Sequence, residues 1–127
     1  MIKNSIELMR MSTYERLSYR IIEFSGLVES SAIDKIDSLC SCILSSESRD
    51  VIFSLANVTL ISNKVIDHLL YLAQKFSALN GNLFVMNVNP GLKNKREILD
   101  KLSTVQYVRS EEEAECVILT QKAAFCF

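Results

Sequence analysis

The spacing of the apolar residues constrains the fold of this chain more than any other feature. Along the sequence, this spacing alternates between two residues, the period of a half-buried strand, and about 3.6 residues, the period of an amphipathic helix. Segments 51–55 and 83–88 are short and rich in β-branched and aromatic residues, which is typical of buried strands. A longer helical pattern at 63–79 separates them. Strands joined in this way need crossover connections, so the central strands should be parallel.

The pattern predicts the element order β-β-α-β-α-β-α-(β)-α. This order corresponds to an α/β domain whose mixed, mostly parallel sheet of four or five strands is packed with helices. The first two strands should form an antiparallel hairpin with a turn near 14–16, Gly26 should end the second strand, and 56–62 should be a loop. The predicted strands are 5–11, 18–25, 51–55, 83–88 and an edge strand at 105–108; the predicted helices are 31–45, 63–79, a short basic helix with Ile98, Leu99 and Leu102, and 111–119.

Two of the predicted helices begin with residues that resemble a capping box. Ser31 is followed three residues later by Asp34, and Ser110 by Glu113. The apolar stripes of the first two helices should be nearly inaccessible to solvent. Their members are Ile33, Ile36, Leu39, Cys40 and Ile43 in the first helix, and Val65, Ile66, Leu69, Leu72, Ala73 and Phe76 in the second.

Length and composition indicate a single globular domain spanning residues 1–127. Apolar residues make up 49% of the chain, and three Gly and one Pro leave little room for long irregular stretches. The formal net charge of −1 argues against general binding to nucleic acid or to anionic membranes. No apolar run approaches the roughly 18 residues of a membrane helix, and the N-terminal residues lack the apolar stretch of a signal peptide. We therefore expect no membrane insertion and a cytoplasmic location.

The residue types that support catalysis or metal binding do not form a recognisable pattern. Cys40 and Cys42 lie two apart in a predicted helix, so their side chains point about 200° apart, which is poor geometry for one metal ion. Together with Cys116 and Cys126 they are expected to be free thiols. With one histidine and no glycine-rich phosphate loop, no nucleophile–base pair can be assembled. We expect a protein that is not an enzyme and that uses no metal or cofactor.

The segment from 51 to 88 resembles a STAS domain, the fold of bacterial anti-sigma-factor antagonists and of the cytoplasmic tails of sulfate transporters. Such domains have a hydrophobic strand ending in Asp-Leu, then a small residue with Val-Thr and two apolar residues, then Asp-Ser-Ser-Gly opening a helix. Gly26 and the acidic run 110–114 also match family positions. The corresponding segment here is Val51-Ile52-Phe53-Ser54-Leu55-Ala56-Asn57-Val58-Thr59-Leu60-Ile61-Ser62-Asn63-Lys64-Val65.

This chain departs from the family pattern at the residues that are regulated in antagonists. There, a partner kinase that is itself the anti-sigma factor phosphorylates the Ser after the loop Asp. By the resemblance, Ser62 replaces that Asp, Asn63 replaces the phosphoacceptor Ser, and Ser54 replaces the upstream Asp. Asn63 has no hydroxyl, so the ordinary switch cannot operate there. Asn63 is interpreted as a helix cap, and also as a residue that keeps the domain unphosphorylated and competent to bind; the two are compatible.

The resemblance places the partner-binding site in the predicted 57–64 loop and the first turns of the following helix. Ser62 is either a shifted phosphorylation site or a loop or cap residue. His68 should lie on the outer side of the helix as a solvated or interface residue. The basic cluster 93–96 with Lys101 is either a solvated helix face or a patch for an acidic partner. The predicted site residues are Asn57, Thr59, Ser62, Asn63, Lys64, Asp67, His68 and Tyr71.

The resemblance therefore implies a non-catalytic protein-binding module that acts as an anti-sigma-factor antagonist in a partner-switching system. Its partner would be an anti-sigma factor of the serine-kinase type. The alternative is a structural STAS subunit of a larger cytoplasmic assembly, such as a signalling scaffold or a lipid ABC transporter complex. Loss of the phosphoacceptor favours this alternative somewhat. Homodimerisation is compatible with either function.

Overall fold

Five strands and four α-helices alternate along the chain in the computed structural model, which describes residues 9–16, 18–92 and 95–125. Each central strand is a run of apolar, β-branched or aromatic residues, and the first three helices have their apolar residues mainly on one side. The elements are β1 (Arg10–Glu15), β2 (Arg20–Val28), α1 (Ile33–Leu44) after a 3-10 turn (Ser30–Ala32), β3 (Asp50–Ile61), α2 (Asn63–Ala78), β4 (Asn82–Met86), α3 (Lys95–Leu102), β5 (Gln106–Val108) and α4 (Glu111–Phe125).

The strands form one sheet in the order β1-β2-β3-β4-β5. β1 pairs with β2 in the antiparallel sense, and every other neighbouring pair is parallel. The parallel neighbours are connected by α1, α2 and α3, as crossover connections require. The prediction of a single α/β domain with a mixed, mostly parallel sheet is confirmed, and the edge strand at its end is present as β5.

The helices lie on both faces of the sheet, which explains why its central strands are apolar throughout. Phe53 of β3 packs in a cluster with residues of α1, α2 and α3. The preceding residue, Ile52, belongs to a second cluster with Ala114 and Ile118 of α4. Successive side chains of a strand point to opposite faces, so α1–α3 cover one face and α4 covers the other. Phe24 meets Phe53 edge-on, with ring centroids 5.1 Å apart.

The two predicted apolar stripes lie largely where expected. The buried residues in α1 are Ile36, Cys40, Ile43 and Leu44, and those in α2 are Val65, Ile66, Leu69, Leu72 and Phe76. Ile33, Leu39 and Ala73 are partly buried and pack against the same core. In α3, Ile98 and Leu102 are buried, whereas Leu99 is 36% exposed.

The first hairpin was predicted at the wrong position. β1 spans Arg10–Glu15 rather than 5–11, and residues 14–15, predicted near a turn, are in the strand; residues 5–8 lie outside the described ranges. The physical reason is the register with β2, which pairs Arg10 with Ser25 and Glu15 with Arg20. The connection is consequently short, and the Arg16 N–H donates to the Tyr19 carbonyl at 2.9 Å.

The predicted loop at 56–62 is also wrong, because β3 continues to Ile61. β2 continues correspondingly to Val28, so Gly26 lies inside β2 and does not end it. Two register shifts between β2 and β3 flank this region, and Gly26 adopts φ 82°. A bulge that needs a positive φ is a place where glycine is favoured over every other residue.

Only one of the two predicted capping boxes forms. The Ser110 hydroxyl accepts a hydrogen bond from the Glu113 N–H at 3.2 Å, and the Glu113 carboxylate accepts one from the Arg109 N–H at 3.3 Å. At α1 the prediction is wrong: a 3-10 turn precedes the helix, and its N-cap residue Ala32 has no side chain that could cap it. α4 extends to Phe125 instead of ending near 119.

The described cysteines are free, with Cys40 buried and Cys42 and Cys116 exposed; Cys126 lies outside the described ranges. Burial raises the pKa of the Cys40 thiol to about 12, which keeps it protonated and unreactive. Of the helices in the described ranges, none has the length and apolar character needed to cross a membrane.

Candidate functional site

Ser62 caps the start of α2 and ties it to the end of β2. The Ser62 backbone is extended, with φ −76° and ψ 156°, and its Oγ accepts a hydrogen bond from the Val65 N–H at 3.4 Å. Its own N–H donates to the Val28 carbonyl at 2.9 Å. The alternative of Ser62 as a cap is therefore confirmed. The cap interpretation of Asn63 is wrong, because Asn63 is the first residue inside the helix and the hydroxyl before it already takes the capping role.

The side chain of Asn63 is held by a lysine from α3. Lys101 Nζ donates to Asn63 Oδ1 at 3.4 Å and lies 3.7 Å from Asp67 Oδ1, one turn further along α2. The Asp67 side chain is 67% exposed and that of Lys101 38%, so this ion pair alone contributes little to stability. In this arrangement the oxygen of the Asn63 amide faces Lys101.

The His68 side chain is more buried than the sequence analysis predicted. Its side chain is only 20% exposed, and Nε2 donates to the Asp37 carboxylate of α1 at 2.5 Å. The prediction that His68 is on the outer, solvated side is therefore corrected: it bridges α1 and α2. The Tyr71 ring lies 5.7 Å from the His68 ring, and Lys75 Nζ is 6.0 Å from the Tyr71 centroid. Tyr71 itself is 54% exposed, so its ring is accessible on the surface of α2.

The structure divides the predicted site between two faces of the sheet. Val58 is fully buried in the cluster under α1–α3, so Asn57, which precedes it in regular register with β2, points to the opposite face. Thr59 is the residue without a partner in the register at the shift, and its Oγ1 donates to the Gly26 carbonyl at 3.2 Å and thereby supports the bulge. Asn57 thus shares the end of β3 with Ser62 but not the face that α2 presents.

The loop after β4 closes the same end of the sheet. Asn89 donates from its backbone N–H to the Leu55 carbonyl at 3.2 Å and from its side-chain amide to the Val58 carbonyl at 3.0 Å. Its side-chain oxygen accepts from the Gly91 N–H at 2.9 Å. No local sequence signal predicts the bonds to β3, since their partners lie about 30 residues away. These hydrogen bonds hold the last part of β3, which leads directly to Ser62.

Hydroxyl, amide, amine and aromatic groups make up this site, and they are suited to binding rather than to bond cleavage. His68 and Asp37 form a pair that could orient a general base, but no hydroxyl or thiol of the described residues hydrogen-bonds to the His68 ring. Within the described ranges, no three His, Cys, Asp or Glu side chains are grouped so that they could hold a metal ion.

The fold and sequence together identify the family. The model of the STAS domain matches residues 10–114, so the chain belongs to the STAS domain family. Among curated proteins, none matches the sequence significantly.

Solved structures with the same fold include bacterial anti-sigma-factor antagonists. One from Mycobacterium paratuberculosis has a TM-score of 0.70 and 9% identity, over 91% of this chain and 97% of its own. The phosphorylated form of the Bacillus cell-fate determinant SpoIIAA has a TM-score of 0.64 and 13% identity, over 85% and 99%. SpoIIAA in its unphosphorylated form has a TM-score of 0.64 and 15% identity, over 87% and 97%. At these identities the likeness concerns the fold.

Proposed function

We propose that this chain is a non-catalytic protein-binding module of the anti-sigma-factor antagonist kind, acting in the cytoplasm and not switched by phosphorylation at the start of α2. The family and the general kind of function follow from the STAS match and from the antagonists that share the fold. The particular mode of action is inferred from the residues that occupy the first turn of α2.

The observation that carries the proposal is the chemistry of Asn63. By the resemblance this is the phosphoacceptor position, and here it holds an exposed amide engaged by Lys101. A phosphate would add roughly −1.5 to −2 charges and three acceptor oxygens at this point, whereas the amide stays neutral. The adjacent Ser62 hydroxyl is half-buried and occupied as the helix cap. Phosphorylation of Ser62 stays a hypothesis, and it would have to break that cap.

The exposed side of α2 carries an aromatic residue of the kind that is enriched in protein interfaces. Tyr71 offers a large accessible ring, and tyrosines are enriched among the residues that dominate binding energy. Lys64 and Asp67 are exposed on the same helix, and His68 is anchored beneath them. We therefore place the interface on α2, and not on the opposite face that carries Asn57.

The test is to isolate the partner by co-purification and to measure its binding to wild type and Asn63→Asp by calorimetry. The variant should fold normally, because a helix N-terminus accepts negative charge and Lys101 lies within reach of the new carboxylate. The free energy of partner binding should become less favourable by roughly 1–3 kcal/mol if the site is desolvated in the complex.

Asn57→Asp is the matched control, since it makes the same change at the same end of the sheet but on the other face. It should leave the affinity unchanged. If Asn57→Asp weakens binding and Asn63→Asp does not, the interface lies on the face of Asn57. If neither variant matters, the interface lies elsewhere, which favours the alternative of a structural subunit in a larger assembly.

A further inference from the structure

Charge is distributed unevenly over the surface of this near-neutral chain. Helices α2 and α3 together carry five basic and three acidic side chains, whereas α4 carries four acidic side chains and one basic side chain. α1 lies on the same face and adds Asp34, Asp37 and Lys35, so α1–α3 together carry six basic and five acidic side chains. Since α4 covers the opposite face of the sheet, the side that presents α2 is the more positive of the two helical faces. An acidic molecule would be steered toward it.

The acidic groups beside the exposed side of α2 are already paired within the chain. Asp67 pairs with Lys101, and Asp37 pairs with His68. Lys64 and Lys75, in contrast, have no carboxylate within 4 Å among the described residues. The side chains left to meet a partner are therefore mainly hydrogen-bond donors.

The amide of Asn63 adds to this excess of donors because of the way Lys101 holds it. The Asn63 carbonyl oxygen accepts from Lys101 Nζ, so the NH2 group of the same amide is left on the exposed side. Within the described part of the chain, no acceptor bonds to that NH2 group. A rotation of the amide by half a turn would present the oxygen instead and would lose the bond to Lys101.

We propose that Asn63, Lys64 and Lys101 form a donor surface that binds an acidic segment of the protein partner. A carboxylate of that segment would accept from the Asn63 NH2 group and from Lys64 Nζ, and charge-assisted bonds of this kind are the stronger ones. Lys101 is the positioning residue, because it determines that the amide offers donors rather than its oxygen. This inference rests on the proposed function and specifies the chemistry of its partner.

The donor surface can be tested with an acetylated, amidated hexaglutamate peptide as the probe, followed by ¹⁵N-correlation NMR. The peptide should shift the side-chain NH2 signals of Asn63 and the backbone amide of Lys64, and added salt should reduce the effect. Lys101→Met should raise the peptide Kd by about five- to tenfold. Lys101→Arg, which keeps the donor and the charge, should restore binding. Lys122→Met, which removes the same charge from α4, should leave the Kd within about twofold of wild type.

Three results would overturn the inference. The first is an equal loss of binding in Lys101→Met and Lys122→Met, which would indicate unspecific charge attraction. The second is tighter binding of an oligothymidylate than of hexaglutamate at the same signals, which would indicate a nucleic-acid surface. The third is a shift of the Asn63 signals with protein concentration alone, which would place the acidic start of α4 of a second copy on this surface. If Asn63→Asp weakens the partner complex while Lys101→Met affects neither peptide nor partner, only this inference fails and the proposed function stands.

Discussion

Asn82, the first residue of β4, joins three strands and a helix through one side-chain amide. Its Nδ2 donates to Asp50 Oδ1 on β3 at 2.8 Å and to Gln121 Oε1 on α4 at 2.7 Å. Its Oδ1 accepts from Gln106 Nε2 on β5 at 2.8 Å. Asn82 and Asp50 face each other in the sheet register and are 5% and 7% exposed. Buried polar groups are normally hydrogen-bonded, and both the nitrogen and the oxygen of the Asn82 amide have partners.

The same burial makes the stability of the protein depend on pH through Asp50. Burial raises the pKa of the Asp50 carboxyl, and the hydrogen bond from Asn82 and the charge of Lys122 offset this only in part. Because the folded-state pKa lies above the unfolded value, the favourable contribution is present below the unfolded pKa and is lost as pH rises through the folded pKa. Ionising the Asp50 carboxyl in its buried position therefore costs stability.

Asp50→Asn should remove that dependence while keeping an oxygen that accepts from Asn82. Relative to wild type, the variant should gain stability as pH rises from 4 to 7, because its side chain stays neutral. Urea denaturation at both pH values measures the difference. Glu47→Gln, at an exposed position, is the control and should show no such gain. An equal difference between variant and wild type at both pH values would show that Asp50 does not titrate over this range.

Among the elements, β2 and β3 differ most from what their composition suggests. The paired extension from Gly26–Val28 to 58–61 carries the strands past the apolar segments that mark them in the sequence. Ala56 and Asn57 are poor strand formers by themselves, yet β3 continues through them because β2 offers a ladder beside them. Tertiary pairing here overrides local propensity. The bulge around Gly26 allows β2 and β3 to continue pairing after the register shift.

Gly26→Ala should therefore destabilise the protein. At φ 82° a Cβ is strained, and the cost should be roughly 1–2 kcal/mol in the free energy of unfolding. Gly91→Ala is the control: its added Cβ would come no closer than 3.5 Å to the Asn89 side chain, which is ordinary contact, and its φ is not positive. Chemical denaturation of both variants compares them. Equal midpoints for the two would mean that the bulge relaxes without cost.

At the scale of the whole molecule, the sequence predicted the topology and most helix bounds because period and β-branching are local signals. It also predicted Ser110 and Glu113 as a working cap, since both partners lie within four residues. The contacts that define the site could not be predicted in this way. Lys101 reaches Asn63 across 38 residues and Asp37 reaches His68 across 31, and both contacts depend on how α1 and α3 pack beside α2.

The two faces of the sheet have separate tasks under our proposals, since α4 stabilises one face and α2 binds from the other. Tyr19 connects the chain just before β2 to α4 through a hydrogen bond. Its hydroxyl has one proton, which is shared in a bifurcated hydrogen bond between Glu115 Oε1 at 2.6 Å and Glu111 Oε1 at 3.0 Å, and Arg16 Nε donates to Glu111 Oε1 at 3.1 Å. Burial, followed by these carboxylates, raises the pKa of Tyr19 far above its ordinary value, so the hydroxyl remains a donor.

Tyr19→Phe should lower the free energy of unfolding by roughly 1–2 kcal/mol, because the bifurcated bond to the two carboxylates is lost while water can still reach Glu111. The folded variant should bind the hexaglutamate peptide as wild type does, whereas Lys101→Met should do the reverse and lose the peptide with little change in stability. Urea denaturation and the NMR titration, run on both variants, measure the two quantities. Tyr14→Phe, at a 43% exposed ring of β1, controls for the loss of a hydroxyl. If Tyr19→Phe weakens peptide binding as much as Lys101→Met does, the two faces are coupled through the sheet and the assignment of separate tasks is wrong.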